Sequence, residues 1–321
     1  MIDSVSELMV ALQKSKGGEV LTLAPGIYAG LSISNLHRSP AVTITGKGAV
    51  IPGLKLERSS GVRFLKLEFS APSPGQFAYL VRESNNITFE SLNVHGALDG
   101  NPQGKTSGIS ILKSSRIKVL DSEFQQLRRG VGVGSSQDII ISGNRFHNLQ
   151  TDGVMAAEVT RINIIGNEFS SFFPVEGDHP DAIQFLTSGT SQPSRDVLIA
   201  NNTAMRGAGK GVQGVFMRDE TKRLPYENVR IQNNLLVGTG YNGIAVDGGK
   251  NIEITGNELL SYEGKTNVNW VLVKRAEGVV VSENQAAKFG YDGVSGLKER
   301  RNKVNRPIRD GEAADLVARK R

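Results

Sequence analysis

One short pattern recurs along this chain: an apolar residue, any residue, usually a small residue or asparagine, then asparagine. It reads ISGN at Asn144, IIGN at Asn167, IANN at Asn202, IQNN at Asn234, ITGN at Asn257 and VSEN at Asn284, at steps of 23, 35, 32, 23 and 27 residues. Self-similarity at such a period means stacked repeats. Helical repeats would carry a 3.6-residue period. These units carry short β-branched runs that alternate in and out, as strands do.

A second pattern precedes each asparagine. Fifteen residues before Asn144, Asn167, Asn257 and Asn284 stand Arg129 (RGVGV), Asp152 (DGVMA), Asn242 (NGIAV) and Asn269 (NWVLV). For Asn202 and Asn234 the step is 21, to Asp181 (DAIQF) and Gln213 (QGVFM), so these two coils hold six extra residues in one turn. Counting that first residue as position zero, positions two and four are nearly all apolar, from Ile109 and Ile111 to Val271 and Val273. Even positions therefore enter a core. Coils of this length, with short strands and Gly/Asn turns, stack into an all-β parallel β-helix, a single-stranded solenoid. The asparagine column is expected to be a structural ladder.

The 321 residues suffice for a large core, in one elongated domain or two compact ones. Cysteine is absent, which excludes disulfides and thiolate metal sites. It fits an extracytoplasmic or virion protein and many cytosolic ones. The net charge of +6 lies partly in the C-terminal segment, and the remainder favours an anionic partner only weakly. No nucleic-acid partner is expected. Membrane insertion is not expected either, for lack of a long apolar run. The N-terminus carries Asp3 and Glu7 and lacks a basic-then-apolar signal. The expected location is extracellular, periplasmic or in a phage virion.

At the N-terminus, Ser4 and Glu7 make a capping box, with Val5, Leu8, Met9 and Leu12 on one helical face. This helix is expected to cover the open end of the solenoid. The reading gives residues 1–17 as capping helix, 18–300 as β-helix and 301–321 as a basic C-terminal tail. The run Gly18, Val20, Leu21, Leu23, Pro25, Gly26, Tyr28 resembles the opening of the pectate-lyase-like, right-handed parallel β-helix superfamily. That resemblance implies a right-handed helix. It also implies a protein that cleaves, epimerises or binds polysaccharide, as monomer or, in phage tailspikes, as homotrimer.

Adjacent coils lie about 4.8 Å apart, so position-zero residues form a column. It runs Ser107, Arg129, Asp152, Asp181, Gln213, Asn242, Asn269, Asp292. Asp152 and Asp181 become neighbours, and two such carboxylates need a shared proton, a cation or water. Their spacing is near the roughly 5–5.5 Å of retaining glycosidases. The bland counterpart is an exposed Arg129–Asp152 ion pair with Asp181 solvated. Long turns flank the Asp181 and Gln213 coils, as at a cleft. One, SSFFPVEGDHP, brings Phe172, Phe173, Asp178 and His179, and at least one of the two rings is expected to plug the loop onto the rod. The other brings Arg206 and Lys210, without the Ser or Thr of a phosphate loop.

Asp181, Asp152, Asp178 and His179 are thus the candidate catalytic residues, His179 for acid/base work. Arg129, Lys210, Gln184, Gln213, Arg218 and Phe173 are candidate substrate-binding residues. Arg218 has Asp247 and then Lys274 beside it, an arrangement that a surface ion-pair ladder also explains. No metal ligand set is assigned, and Ca2+ is the one cofactor left open. The leading expectation is an enzyme that cleaves an acidic extracellular polysaccharide, with a lyase slightly favoured over a hydrolase. A phage glycan-binding component and a purely structural β-helix are the other classes. The resemblance extends to mannuronan epimerases, but their Asp-Pro-His-acid motif stands here as Asp-His-Pro-Asp, with the middle pair exchanged.

Overall fold

The computed structural model describes residues 1–71, 78–240, 242–264, 268–309, 311–313 and 315, and the chain winds as a parallel β-helix. One coil shows the plan. Val154–Ile165 runs across two faces, Asn167 turns the corner, and Glu168–Phe172 makes the third face. Among the described residues the first two faces join in a 19-stranded sheet, and the third forms a 12-stranded sheet. The long strands pair in parallel, and through the middle of the rod they keep register: Val131, Val154, Ile183, Val215 and Ile244 are successive partners.

Parallel register puts like above like in the core. Ile139, Ile162, Val197, Val229, Ile252 and Val279 form one such buried stack. Phe124, Phe146 and Phe169 form another, with ring centroids 4.7 and 4.9 Å apart. Coils this close leave little room at position one, where Ala182 is the largest residue from Gly108 to Gly243. A Cβ on Gly130 would lie 2.5 Å from the Gly153 carbonyl oxygen, which explains the glycine after position zero in most coils.

The asparagine ladder is as expected and fully formed. From Asn167 onward each side-chain Oδ1 accepts from the backbone N–H and the Nδ2 of the asparagine one coil earlier; Asn234 accepts from Asn202 at 2.9 and 3.0 Å. Its Nδ2 donates in turn to Asn257 Oδ1 and to the Ile199 carbonyl. The residue before each ladder asparagine has positive φ: Gly143, Gly166, Asn201, Asn233, Gly256, Glu283. A left-handed corner explains the preference for glycine or asparagine there. The ladder extends one coil beyond the recognised pattern, to Asn302, at a step of 18 residues. A serine ladder (Ser59, Ser84, Ser114, Ser136) holds another corner.

The helix Val5–Lys14 covers the N-terminal end. Ser4 Oγ accepts from the Glu7 N–H at 3.2 Å, and Leu8 and Leu12 are buried, with Val5 and Met9 packed on the core. Arg38 of the next coil donates to the Leu12 carbonyl and to Ser15 Oγ, closing the helix end.

Two residues depart from the expected column. Asp292 does not enter the position-zero column; it pairs with Lys274, because after Asn284 the turn is so short that Lys288 already faces Trp270. Asn269 is displaced from Asn242 by a β-bulge that brings Trp270 opposite Asn242. The rod also runs past residue 300: Lys303–Val304 pairs with Gln285–Ala286, and Ile308 bridges Tyr262. Residues 310, 314 and 316–321 of the proposed tail lie outside the described residues.

Removing one ladder side chain strands donors in a dry corner. Asn234→Ala is expected to cost about 2–4 kcal/mol, whereas exposed Lys118→Ala should stay within about 0.5 kcal/mol; urea unfolding of both variants checks this.

Candidate functional site

Stacking places Asp152, Asp181, Gln213 and Asn242 in successive coils of one column. The two acids are neighbours as expected, but both are buried: Asp152 is 3% exposed and Asp181 0%. Arg129 Nε donates to Asp152 Oδ2 at 3.0 Å, so the Arg129–Asp152 pair exists as a largely buried one. The Asp181 N–H donates to Asp152 Oδ1 at 3.3 Å. Asp181 is therefore not solvated. Its Oδ2 accepts from Gln184 Nε2 at 2.8 Å and faces His179 Nδ1 at 3.2 Å, while its buried Oδ1 accepts no hydrogen bond from the described residues.

The inserted turn delivers His179 over this column. Phe172 is the plug, fully buried and bridged to Lys210. Phe173 is half-buried. Asp178 is engaged in folding the loop: its Oδ2 accepts from the Val175 N–H and from Gln150 Nε2, both at 2.9 Å. Lys210 Nζ donates to the Pro174 carbonyl at 3.4 Å, joining the two inserted turns. So Asp178 and Lys210 belong to the loop scaffold, while His179 keeps half of its side chain in solvent.

Burial pushes the Asp181 carboxyl up to about 7; the bond from His179 opposes this and the Asp152 charge adds to it. Burial also raises Asp152, against the pull of Arg129. The bond to Asp181 raises the His179 imidazole above its ordinary value, against partial desolvation. The pair titrates together.

Beside His179 a groove of about 380 Å3 continues over the next coils. Its floor is position three of those strands: Phe216, Ala245 and Leu272. The Phe216 ring lies 5.1 Å from the imidazole. Trp270 forms one wall, with Lys288 Nζ 5.7 Å from its ring centroid. Arg218, Asp247 and Lys274 stand in register along the other. Asp247 accepts from Arg275 Nε at 2.6 Å, so the anticipated ladder with Arg218 is replaced by a pair on a different side chain. The Arg218 and Lys274 head groups make no ion pair among the described residues.

Trp270 and Phe216 were not singled out from the sequence. For Trp270 a signal existed: NWVLV carries tryptophan at position one, where other coils carry glycine or alanine. A side chain as large as indole cannot fit there, so the strand bulges and turns the indole toward the groove. Among the described residues no three His, Cys, Asp or Glu side chains converge as metal ligands.

A family model described as the right handed beta helix region matches residues 77–259. No curated protein matches the sequence significantly. Among solved structures the fold is similar to that of PfbA, a surface adhesin of Streptococcus pneumoniae, at 12% identity and TM-score 0.65, over 93% of this chain and 92% of that one. It is also similar to a family 28 exopolygalacturonase of Yersinia enterocolitica, at 11% identity and TM-score 0.53, over 94% and 76%. ORF18 of Geobacillus virus E2 is similar at 11% identity and TM-score 0.52, over 92% of this chain and 56% of that one. At such identities these likenesses concern the fold.

The buried acid has a signature in stability. Asp181 is protonated in the fold up to about pH 7 but ionises near 3.8 when unfolded. The unfolded state then binds fewer protons, so this group's contribution falls as pH rises between those values. His179, raised above 6.5, contributes stability that is lost as pH climbs through its folded value. Thermal melts across pH should show the wild type losing stability over that span, and Asp181→Asn should flatten the part between about pH 4 and pH 7.

Proposed function

The chain belongs to the right-handed β-helix family, and from that premise we propose that it binds an acidic polysaccharide in this groove and cleaves it by β-elimination. The observation that carries the reading is the position of His179: a half-exposed imidazole on a buried carboxylate, at the mouth of a groove walled by an indole and by two cations that make no ion pair among the described residues. Sugar rings pack an apolar face on aromatic side chains, and uronate carboxylates pair with Arg and Lys. Arg218 and Lys274 sit two coil steps apart, and Asp247 between them is turned to Arg275.

In this reading the substrate displaces the Gln213 amide from His179 Nε2. That nitrogen takes the proton α to the uronate carboxyl, whose growing negative charge Arg218 neutralises. The electron pair left on carbon forms the double bond as the β-oxygen departs, and the imidazolium returns its proton to that oxygen. Atoms and charge balance without a cofactor. Burial of Asp152 and Asp181 favours elimination over hydrolysis, because a glycosidase must bring two carboxyl groups against the sugar. A uronate epimerase would share the proton abstraction and differ in returning the proton to carbon.

A second reading, glycan binding without cleavage, is favoured by one observation. The Gln213 amide already occupies the His179 ring at 2.5 Å from Nε2. Either reading puts the protein where such polymers are, outside the cytoplasm or on a virion, as monomer or homotrimer. No helix among the described residues is long and apolar enough to cross a membrane.

Incubation with a panel of polyuronates should yield unsaturated ends that absorb in the ultraviolet. His179→Ala should lower kcat by about 10²–10⁴-fold, and Arg218→Ala with Lys274→Ala should raise KM at least about tenfold. The base must be neutral, so kcat should rise with pH through a value above the ordinary imidazole 6.5. Reducing ends without unsaturation would mean hydrolysis. Retained binding with neither product would leave the second reading.

A further inference from the structure

Beyond His179 the polar column continues, and its hydrogen bonds have a direction. Trp270 Nε1 donates to Asn242 Oδ1 at 2.7 Å. Asn242 Nδ2 donates to Gln213 Oε1. Gln213 Nε2 faces the imidazole, closest to Nε2 and 3.1 Å from Nδ1. His179 Nδ1 faces Asp181 Oδ2, which also accepts from Gln184. Five side chains from four coils and one loop make a single chain ending on a carboxylate.

An amide can be turned end for end, and its two ends are alike in size. An indole cannot: its N–H only donates. Trp270 therefore obliges Asn242 to present its oxygen to it, which leaves the Asn242 amide N–H for Gln213. Gln213 must accept there with its own oxygen, and so it points its donor at His179. A donor pressed on Nε2 requires a lone pair on that nitrogen. The proton then resides on Nδ1, where the Asp181 carboxylate accepts it.

We infer that Trp270, Asn242 and Gln213 are positioning residues that set the tautomer of His179, with the proton on Nδ1 and the lone pair on Nε2. The inference rests on the reading of His179 as proton acceptor, and it adds what makes that reading workable. Of the two neutral forms, only this one offers Nε2 as a base toward the groove. Among the described residues the charged and titratable groups facing the ring are Asp181, with Asp152 behind it and Arg129 beyond; Phe216 covers another side. The carboxylate favours an added proton, and the Gln213 donor opposes it at Nε2. The same indole walls the groove, so a ligand that shifts Trp270 also acts on the far end of this chain.

The test reads the ring directly. The chain has four histidines, and nitrogen-15 spectra of histidine-labelled protein resolve their ring nitrogens, with His179→Gln assigning the site. In wild type the neutral His179 ring should show a protonated Nδ1 and a bare Nε2. Trp270→Phe removes the fixed donor and should give a mixture of tautomers. Asn242→Asp, similar in size, can only accept toward Gln213; the glutamine should then turn over, present its oxygen to the ring and put a proton on Nε2. On a polyuronate that is cleaved, Asn242→Asp should lower kcat at least about tenfold with KM little changed. A wild-type ring protonated on Nε2, or an Asn242→Asp ring like the wild type's in a folded protein, would overturn the inference. The spectra decide this without turnover, so failure of the cleavage reading and failure of the tautomer assignment are told apart.

Discussion

Parallel stacking of coils at strand spacing is the constraint from which everything else in this molecule follows. It converts a position in the repeat into a place in space, so each side chain meets its counterpart in the next coil. Apolar counterparts make the core stacks, and glycines at position one allow the approach. The buried asparagine ladder pins one corner, which prevents the faces on either side from slipping in register. A one-residue slip would turn every core residue outward.

The same constraint builds the site. Asp152, Asp181, Gln213 and Asn242 touch because they share a position, although 29 to 32 residues separate each from the next. Stacked polar groups inside a rod have to satisfy one another, and here they do so in sequence, from an indole to a carboxylate. The Oδ1 of Asp181, which accepts no hydrogen bond from the described residues, is the exception. The rod thus supplies a rigid buried frame, and one inserted turn supplies the exposed group that the frame holds. Such a division suits a site that needs a fixed reactive atom beside an open groove for a long polymer.

Much of this was legible in the sequence, and the reason is that coil stacking is close to integer counting. The asparagine column, the position-zero column through Asn242, the neighbouring acids and the capping helix all follow from spacing. Counting fails where the coil length changes unannounced. The 18-residue step hid Asn302, and the short turn after Asn284 put Asp292 against Lys274 instead of in the column. Burial was not legible at all. Nothing in DAIQF tells that Asp181 is enclosed, since that depends on the loop above it and the coils beside it. Nor could spacing reveal that Asp178 folds its own turn. Trp270 announced itself only as a break in a glycine pattern, and its direction came from the bulge that the break enforces.

The central claim is that an acidic polysaccharide lies along the groove between His179 and Trp270. Trp270 is the sole tryptophan of the chain, so intrinsic indole fluorescence reports on that groove alone. Titration with polyuronate oligosaccharides should give a saturable change in that emission. It should weaken with added salt and with Arg218→Ala and Lys274→Ala, and a neutral glucan should not produce it. Saturable binding of a polyuronate that leaves the emission unchanged, or an equal response to the neutral glucan, would contradict the account.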